Sequence, residues 1–163
     1  TYLIIQNKIG EHDWCYDHYV NYRGLKAAND IREQLLSIAV KHGIKITSRQ
    51  TTDPEYYPSI RKALLSGFFL QVAHLQKAGH YLTFKDDQVV ALHPSTSIDH
   101  KPEWCLYNEF VLTSKNYIRT ITDISPEWLF KACPDYFQLS EIKNSEAKRK
   151  LERVYQRLQE ESD

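Results

Sequence analysis

Two stretches of polar side chains hold the groups in this chain that could bind a ligand or carry out a reaction. The first is the run HPSTS, which contains His93, Ser95 and Thr96. Imidazole and short hydroxyl side chains are suitable hydrogen-bond donors to phosphate oxygens. The same groups commonly satisfy the backbone of a tight loop, so both uses are open at this point. A Ser95–His93 nucleophile pair is disfavoured, because Pro94 separates the two residues and an acidic partner for the imidazole is missing.

The second stretch combines basic, amide and aromatic side chains around a predicted turn. It contains Lys115, Asn116, Tyr117 and Arg119. A cation at a hairpin tip reaches a nucleic-acid backbone, a tyrosine stacks on a base, and an asparagine donates or accepts hydrogen bonds. Lysine and asparagine are also common in exposed turns, and Tyr117 can simply pack. From the spacing alone, RNA contact and an ordinary turn are both open.

Other site motifs are absent or incomplete. The phosphate-cradling pattern GxxxxGK[ST] does not occur, nor do the HExxH, GxSxG and EF-hand spacings. Cys15 and His18 are three residues apart with His12 nearby, but two candidate ligands without a completing pair do not define a metal site. We therefore expect no catalytic residue and no bound metal, and we expect aromatic packing near Trp14.

The two polar stretches need a sheet to position them. Alternating periodicity predicts five short strands, the last two joined by the turn Ser114-Lys115-Asn116. Tight turns, a longer connection after the third strand and a helix after the fifth are typical of a small antiparallel barrel of the oligonucleotide/oligosaccharide-binding (OB) type. Counting strands alone does not exclude a sandwich. The predicted strands are residues 68–75, 80–84, 88–92, 104–112 and 117–122.

The fourth and fifth strands alternate along their whole length. On the fourth strand, one face carries Trp104, Leu106, Phe110 and Leu112, and the other carries Cys105, Tyr107, Glu109 and Val111. On the fifth strand, Tyr117, Arg119 and Ile121 oppose Ile118, Thr120 and Thr122. This hairpin is expected to present polar loops from a rigid sheet.

Helical periodicity marks the rest of the chain. Apolar residues recur at three- and four-residue steps from Leu25 to Ala39, and Gly43 supplies a C-terminal stop. Asp53-Pro54-Glu55 and Ser125-Pro126-Glu127 are helix starts, and a charged helix follows Asn144-Ser145. The periodicity therefore changes from helical to alternating after the second of these helices.

The totals limit the function classes. The chain has 163 residues, enough for one or two small domains. Lys plus Arg and Asp plus Glu number 21 each, so any nucleic-acid contact must come from local charge rather than a global field. The three cysteines lack CxxC spacing and predict reduced, packed thiols. No apolar run approaches the ~20 residues that span a bilayer. Since the chain begins inside an apolar run without Met, we expect a fragment of a longer protein.

Three long stretches of the sequence together resemble a known protein family. They read WCYDHYVNYRGLKAANDIREQL, IRKALLSGFFLQVAHL and LHPSTSIDHKPEWCLYNEFVLTSKNYIRTITDISPEWL. The chain resembles, over nearly its whole length, the C-terminal region of DEAH-box RNA helicases, especially the branch that disassembles spliceosomes and serves ribosome biogenesis. The resemblance implies an α+β fold, with a helical segment packed on a five-stranded OB-fold antiparallel β-barrel. The implied segments are the end of a helicase-associated helical domain (1–52), the OB-fold domain (53–140) and a C-terminal helix (141–163).

The resemblance also implies a function. The chain would be the RNA-binding and regulatory end of a nuclear ATP-dependent RNA helicase acting in pre-mRNA splicing. Its partners would be single-stranded RNA, upstream RecA-like domains of the same chain and G-patch adaptor proteins, with no membrane. ATP and magnesium would bind the RecA-like domains, so no cofactor and no ATPase activity are expected for these residues alone. The alternative is a protein-interaction module that docks a G-patch or other adaptor protein, with RNA contact incidental.

The predicted RNA-binding residues follow from the same resemblance. The HPST loop and the TSKNYIR strand pair match motifs of the family, and both are intact in this chain. Tyr117 is included because it lies within the basic cluster. The predicted contacts are His93, Ser95, Thr96, Thr113, Ser114, Lys115, Asn116, Tyr117 and Arg119.

Overall fold

The structure is a computed structural model that describes residues 12–143 and 145–161. The chain divides between Arg49 and Gln50 into two compact units. The N-terminal unit is helical where it is described, and the C-terminal unit contains a sheet and helices. Within the described ranges, no helix is long and apolar enough to cross a membrane.

The N-terminal unit contains helices α1 (His12–Asp17) and α2 (Tyr22–Lys41). The Asn21 side chain caps the N-terminus of α2, because its Oδ1 accepts a hydrogen bond from the Gly24 N–H at 3.0 Å. Gly43 follows the end of α2 with a φ of +69°, a left-handed conformation that favours glycine. The predicted long helix and its glycine stop are confirmed.

The predicted aromatic packing near α1 is also confirmed. The His18 ring stacks on the Trp14 ring with their centroids 4.2 Å apart, and the His18 Nδ1 lies 2.8 Å from the Trp14 carbonyl oxygen. Cys15 is buried. In the part of the chain that the structure describes, no group of three His, Cys, Asp or Glu side chains is placed to hold a metal ion.

The C-terminal unit begins with helix α3 (Tyr56–Phe68). The Asp53 Oδ1 accepts a hydrogen bond from the Glu55 N–H at 2.8 Å, so the predicted helix start lies one turn before the helix proper. The predicted strand 68–75 is wrong over its first half, because the helix includes Phe68 and the strand begins at Val72. The mixed aromatic and aliphatic run 68–75 is too short for its hydrophobic periodicity to distinguish a helix from a strand.

Five strands of the C-terminal unit close into a barrel. They are β1 (Val72–Leu75), β2 (Tyr81–Thr83), β3 (Val89–Leu92), β4 (Trp104–Leu112) and β5 (Asn116–Asp123). Around the barrel they follow the order β1-β2-β3-β5-β4. The β3–β5 pair is parallel and the other pairs are antiparallel. The predicted α+β class with a five-stranded barrel is confirmed, with one parallel pair where an antiparallel barrel was expected.

Two hydrophobic clusters stabilise this unit. The barrel interior takes side chains from all five strands, among them Tyr81, Cys105 and Ile118. A second cluster packs residues of β1 and β4 against α3 and two further helices, α4 (Glu127–Ala132) and α5 (Ser145–Glu160). Because one face of each barrel strand points inward, the helices cover the outer face of the β1–β4 wall.

The alternation along the β4–β5 hairpin changes phase in its middle. Thr120 has a φ of +58°, which is rare for a β-branched residue. Ile118 and Ile121 both pack in the barrel interior although they are three residues apart. The strict alternation predicted for the fifth strand, which separates Ile118 from Ile121, is therefore wrong.

A buried histidine links the barrel to α5. His74 is 1% exposed, and its Nδ1 lies 2.7 Å from the Gln76 Nε2. Its Nε2 lies 3.9 Å from the Glu103 Oε1, which also accepts a hydrogen bond from the Lys150 ammonium at 2.7 Å. Burial, and then the positive charge of Lys150, lowers the pKa of His74 from 6.5 to about 4.

We expect the free energy of unfolding to decrease as the pH falls from 6.5 to about 4. In this range the unfolded chain binds a proton at His74 that the folded chain does not, so acid favours the unfolded state. A shift of this size corresponds to at most about 3.5 kcal/mol. Denaturant titrations at several pH values should show a smaller decrease for His74→Phe than for the native chain. An NMR titration in which the folded His74 ring protonates near its ordinary pKa would contradict this account.

Thr120→Asn should stabilise the C-terminal unit by about 0.5–1 kcal/mol, because asparagine adopts a left-handed backbone at lower cost than a β-branched residue. The matched control is Thr122→Asn in the extended part of β5, which should destabilise by up to about 1 kcal/mol. Urea denaturation of the whole chain measures both changes. A loss of stability in Thr120→Asn as large as that in Thr122→Asn would show that Thr120 is not strained.

Candidate nucleic-acid interface

The parallel pairing of β3 with β5 brings the two polar stretches together. Ala91 lies opposite Tyr117, and Leu92 lies opposite Ile118. The pairing continues one residue beyond β3, where the His93 N–H donates to the Ile118 carbonyl at 3.0 Å. The loop that follows His93 therefore leaves the barrel beside the middle of β5. The two polar stretches, which are about twenty residues apart in sequence, are therefore neighbours on one surface.

The HPST loop is held in a turn by its own polar groups. The Ser95 Oγ lies 2.7 Å from the His93 Nδ1, and the Ser95 N–H donates to the same nitrogen at 3.1 Å. The Thr96 N–H donates to the His93 carbonyl at 2.9 Å. No carboxylate contacts the His93 ring within residues 12–143 and 145–161. In this arrangement the loop's own polar groups form hydrogen bonds with its backbone. The acidic group that a serine–histidine nucleophile requires is not in contact with His93.

Tyr117 supports this loop. Its ring meets the His93 ring edge to face, with the centroids 5.6 Å apart, and the side chain is half-buried. A tyrosine packed in this way fixes the loop against β5 and is not free to stack on a base with both faces. Of the two roles considered for Tyr117 from the sequence, packing fits the geometry better than stacking on a base.

The hairpin turn lies one residue earlier than predicted. Strand β4 ends at Leu112, which pairs with Asn116, so the turn is Thr113–Lys115. The Thr113 Oγ1 donates to the Lys115 carbonyl at 2.9 Å, which closes the turn. The side chains of Ser114 and Lys115 are exposed, and Asn116 is half-buried at the start of β5. Lys115 forms no ion pair with any described residue, so its charge is available at the hairpin tip.

Arg119 is engaged by an acidic residue on the neighbouring strand. Glu109 lies directly opposite it, and the Arg119 Nε donates to the Glu109 Oε2 at 3.1 Å. The Arg119 Nη2 donates to the same oxygen. Both side chains are about two-fifths exposed, at 43% for Arg119 and 41% for Glu109. The guanidinium therefore reaches solvent while its charge is partly compensated.

A cavity of about 450 Å³ lies between the HPST loop and β5. Arg119 and Thr120 line one side, and hydroxyl side chains of the loop line the other. Thr96 lines this cavity as a residue, but its Oγ1 atom is itself buried. The exposed hydroxyl side chains of Ser95 and Ser97 and the Arg119 guanidinium in one cavity form a suitable environment for a phosphate oxygen.

The nine predicted contacts therefore divide into three groups. His93 and Tyr117 position the loop, and Thr113 closes the turn. Ser114, Lys115 and Asn116 lie at the hairpin tip. Ser95, Thr96 and Arg119 line the cavity. Ser97, a hydroxyl of the HPSTS run that is not among the nine predicted contacts, lines the same cavity. Sequence reasoning missed Glu109, whose position opposite Arg119 depends on the exact centre of the turn.

Comparison with known families agrees with this geometry. Residues 60–136 match the model of a family described as the oligonucleotide/oligosaccharide-binding (OB) fold. The matched range includes all five strands, α4 and every predicted contact. The C-terminal unit of this chain therefore contains an OB-fold domain, a fold consistent with oligonucleotide binding.

Proposed function

We propose that this chain is the RNA-binding and regulatory end of a DEAH-box ATP-dependent RNA helicase. The observation that carries the proposal is the β3–β5 pairing, which joins the HPST loop and the TSKNYIR hairpin into one polar surface. Both segments match motifs of that helicase family. A fold that binds oligonucleotides and a surface with hydroxyl donors and two cations favour a single strand of RNA as the ligand.

In this proposal the surface binds the RNA backbone rather than reading its sequence. Lys115 supplies an exposed positive charge at the hairpin tip, and the cavity beside Arg119 receives a phosphate with help from the Ser95 and Ser97 hydroxyls. Such contacts are electrostatic and largely independent of base identity. The chain has no net charge, so attraction depends on these local groups.

The wider role follows the resemblance. ATP and magnesium would bind RecA-like domains of the parent helicase, and this chain would close over RNA held on them. G-patch adaptor proteins would regulate that closure, and the parent would act in the nucleus, in spliceosome disassembly and in ribosome biogenesis. We expect no ATP turnover by the purified chain, and measurable turnover would contradict this part of the proposal.

A second candidate function is docking of an adaptor protein. The observation that favours it is a row of exposed apolar side chains near the hairpin and the end of α3. Phe110 is 39% exposed and Leu112 is 75% exposed, while Phe68 and Leu70 are 37% and 42% exposed. An apolar surface of this kind binds protein rather than phosphate, and its affinity would survive high salt.

Salt-dependent RNA binding tests the first function. We expect Lys115→Ala combined with Arg119→Ala to weaken binding of a single-stranded oligouridine of about 12 nucleotides and to reduce the salt slope by up to about 1.4, the contribution of two phosphate contacts. Each phosphate neutralised on a single strand contributes roughly 0.7 to that slope. Fluorescence anisotropy at several salt concentrations measures both quantities.

The matched control is Lys77→Ala combined with Arg153→Ala, which removes the same charges at exposed positions of the β1–β2 turn and of α5. The control should retain both affinity and slope. Equal effects of the two double variants would mean that the hairpin is not the binding site. Adaptor binding that persists at high salt while RNA binding is undetectable would favour the second function.

A further inference from the structure

The cross-strand pair Glu109–Arg119 lies inside the proposed RNA surface and needs an explanation. The two residues are directly opposite in the register of β4 and β5. Two nitrogens of the guanidinium, Nε and Nη2, donate to one carboxylate oxygen of Glu109. Lys115, at the tip of the same hairpin, forms no ion pair with a described residue. The charge of Arg119 is therefore partly compensated, whereas the charge of Lys115 is not compensated by a described residue.

The Arg119 side chain keeps donors for a second anion. A guanidinium carries five N–H donors, and the Glu109 contact uses those of two nitrogens. Arg119 also lines the cavity beside the HPST loop, together with the exposed hydroxyl side chains of Ser95 and Ser97. A phosphate in that cavity would contact the Arg119 guanidinium on one side, while the Glu109 carboxylate contacts the guanidinium on the other. The carboxylate and the phosphate would repel each other across the shared guanidinium.

Stability alone does not explain a carboxylate in this position. Both partners are about two-fifths exposed, and exposed ion pairs contribute about 0.2–1 kcal/mol. An acidic side chain within reach of a phosphate subsite lowers the affinity for phosphate by Coulomb repulsion. A pair this exposed can open when a stronger anion competes for the guanidinium.

We propose that Glu109 is an internal competitor that sets how strongly Arg119 binds an RNA phosphate. The carboxylate occupies the guanidinium in the absence of RNA and is displaced, or shares it, when a phosphate enters the cavity. A lower affinity of Arg119 for phosphate lets a single strand of RNA slide or dissociate. A surface that binds RNA transiently requires this. This inference rests on the proposed function and adds an affinity-limiting residue to it.

A double-mutant cycle tests the proposal with the whole 163-residue chain. The variants are Glu109→Gln, Arg119→Ala and the two combined, and the probe is the same labelled oligouridine. Glu109→Gln should raise the affinity about two- to fivefold, the range expected for releasing one exposed ion pair. It should also increase the salt slope by up to about 0.7, because Arg119 then neutralises a phosphate fully. In the Arg119→Ala background the gain should vanish.

Glu55→Gln is the matched control, because Glu55 is also exposed and forms an ion pair, in its case with Lys62 at 3.2 Å. This variant should bind as the native chain does. A gain of equal size in Glu55→Gln, or a gain that persists without Arg119, would overturn the proposal in favour of a general charge effect. Reduced affinity in Glu109→Gln would also overturn it, because Glu109 would then orient Arg119 for binding.

The outcomes separate this inference from the proposed function. If no variant, including the native chain, shows salt-dependent RNA binding, the proposed function itself fails. If binding depends on Lys115 but is unchanged by Glu109→Gln, only the inference about Glu109 fails. Thermal unfolding of each variant verifies that the fold is kept in every comparison.

Discussion

The parallel pairing of β3 with β5 is the constraint on which this structure depends. It closes the barrel, and it sets the place where the chain leaves β3 at His93. The backbone hydrogen bond from His93 to Ile118 fixes the start of the HPST loop beside β5, and the packing of Tyr117 on His93 supports it. Because parallel strands need a long crossover, the residues between them are free to form both the loop and β4. The polar surface is thus a consequence of barrel closure.

Electrostatics on this surface are local and partly compensated. The chain carries equal numbers of basic and acidic residues, so its surface potential depends on where individual pairs form. Lys115 is exposed at the hairpin tip, whereas Arg119 shares its charge with Glu109. If this surface binds RNA as we propose, its partly compensated charge predicts weak and reversible binding by this chain alone. Tight binding would require further contacts, such as those that the family resemblance assigns to RecA-like domains.

The sequence predicted the number of barrel strands and most of their limits, because alternation and turn residues mark them directly. Two details depend on the three-dimensional path of the chain. A turn centred on Lys115 pairs Arg119 with Val111, and the observed turn, centred on Ser114, pairs it with Glu109 instead. The phase change at Thr120 also has no sequence signal, since threonine is an ordinary strand residue and its left-handed backbone appears only in the folded hairpin.

Amide chemical-shift mapping with increasing oligouridine tests whether the HPST loop and the hairpin form one RNA-binding surface, because the two segments are reported separately in one experiment. We expect the amides of His93, of residues 95–97 and of residues 113–119 to shift together, with the same midpoint. Shifts that are confined to one segment, or that lie mainly elsewhere in the chain, would contradict it.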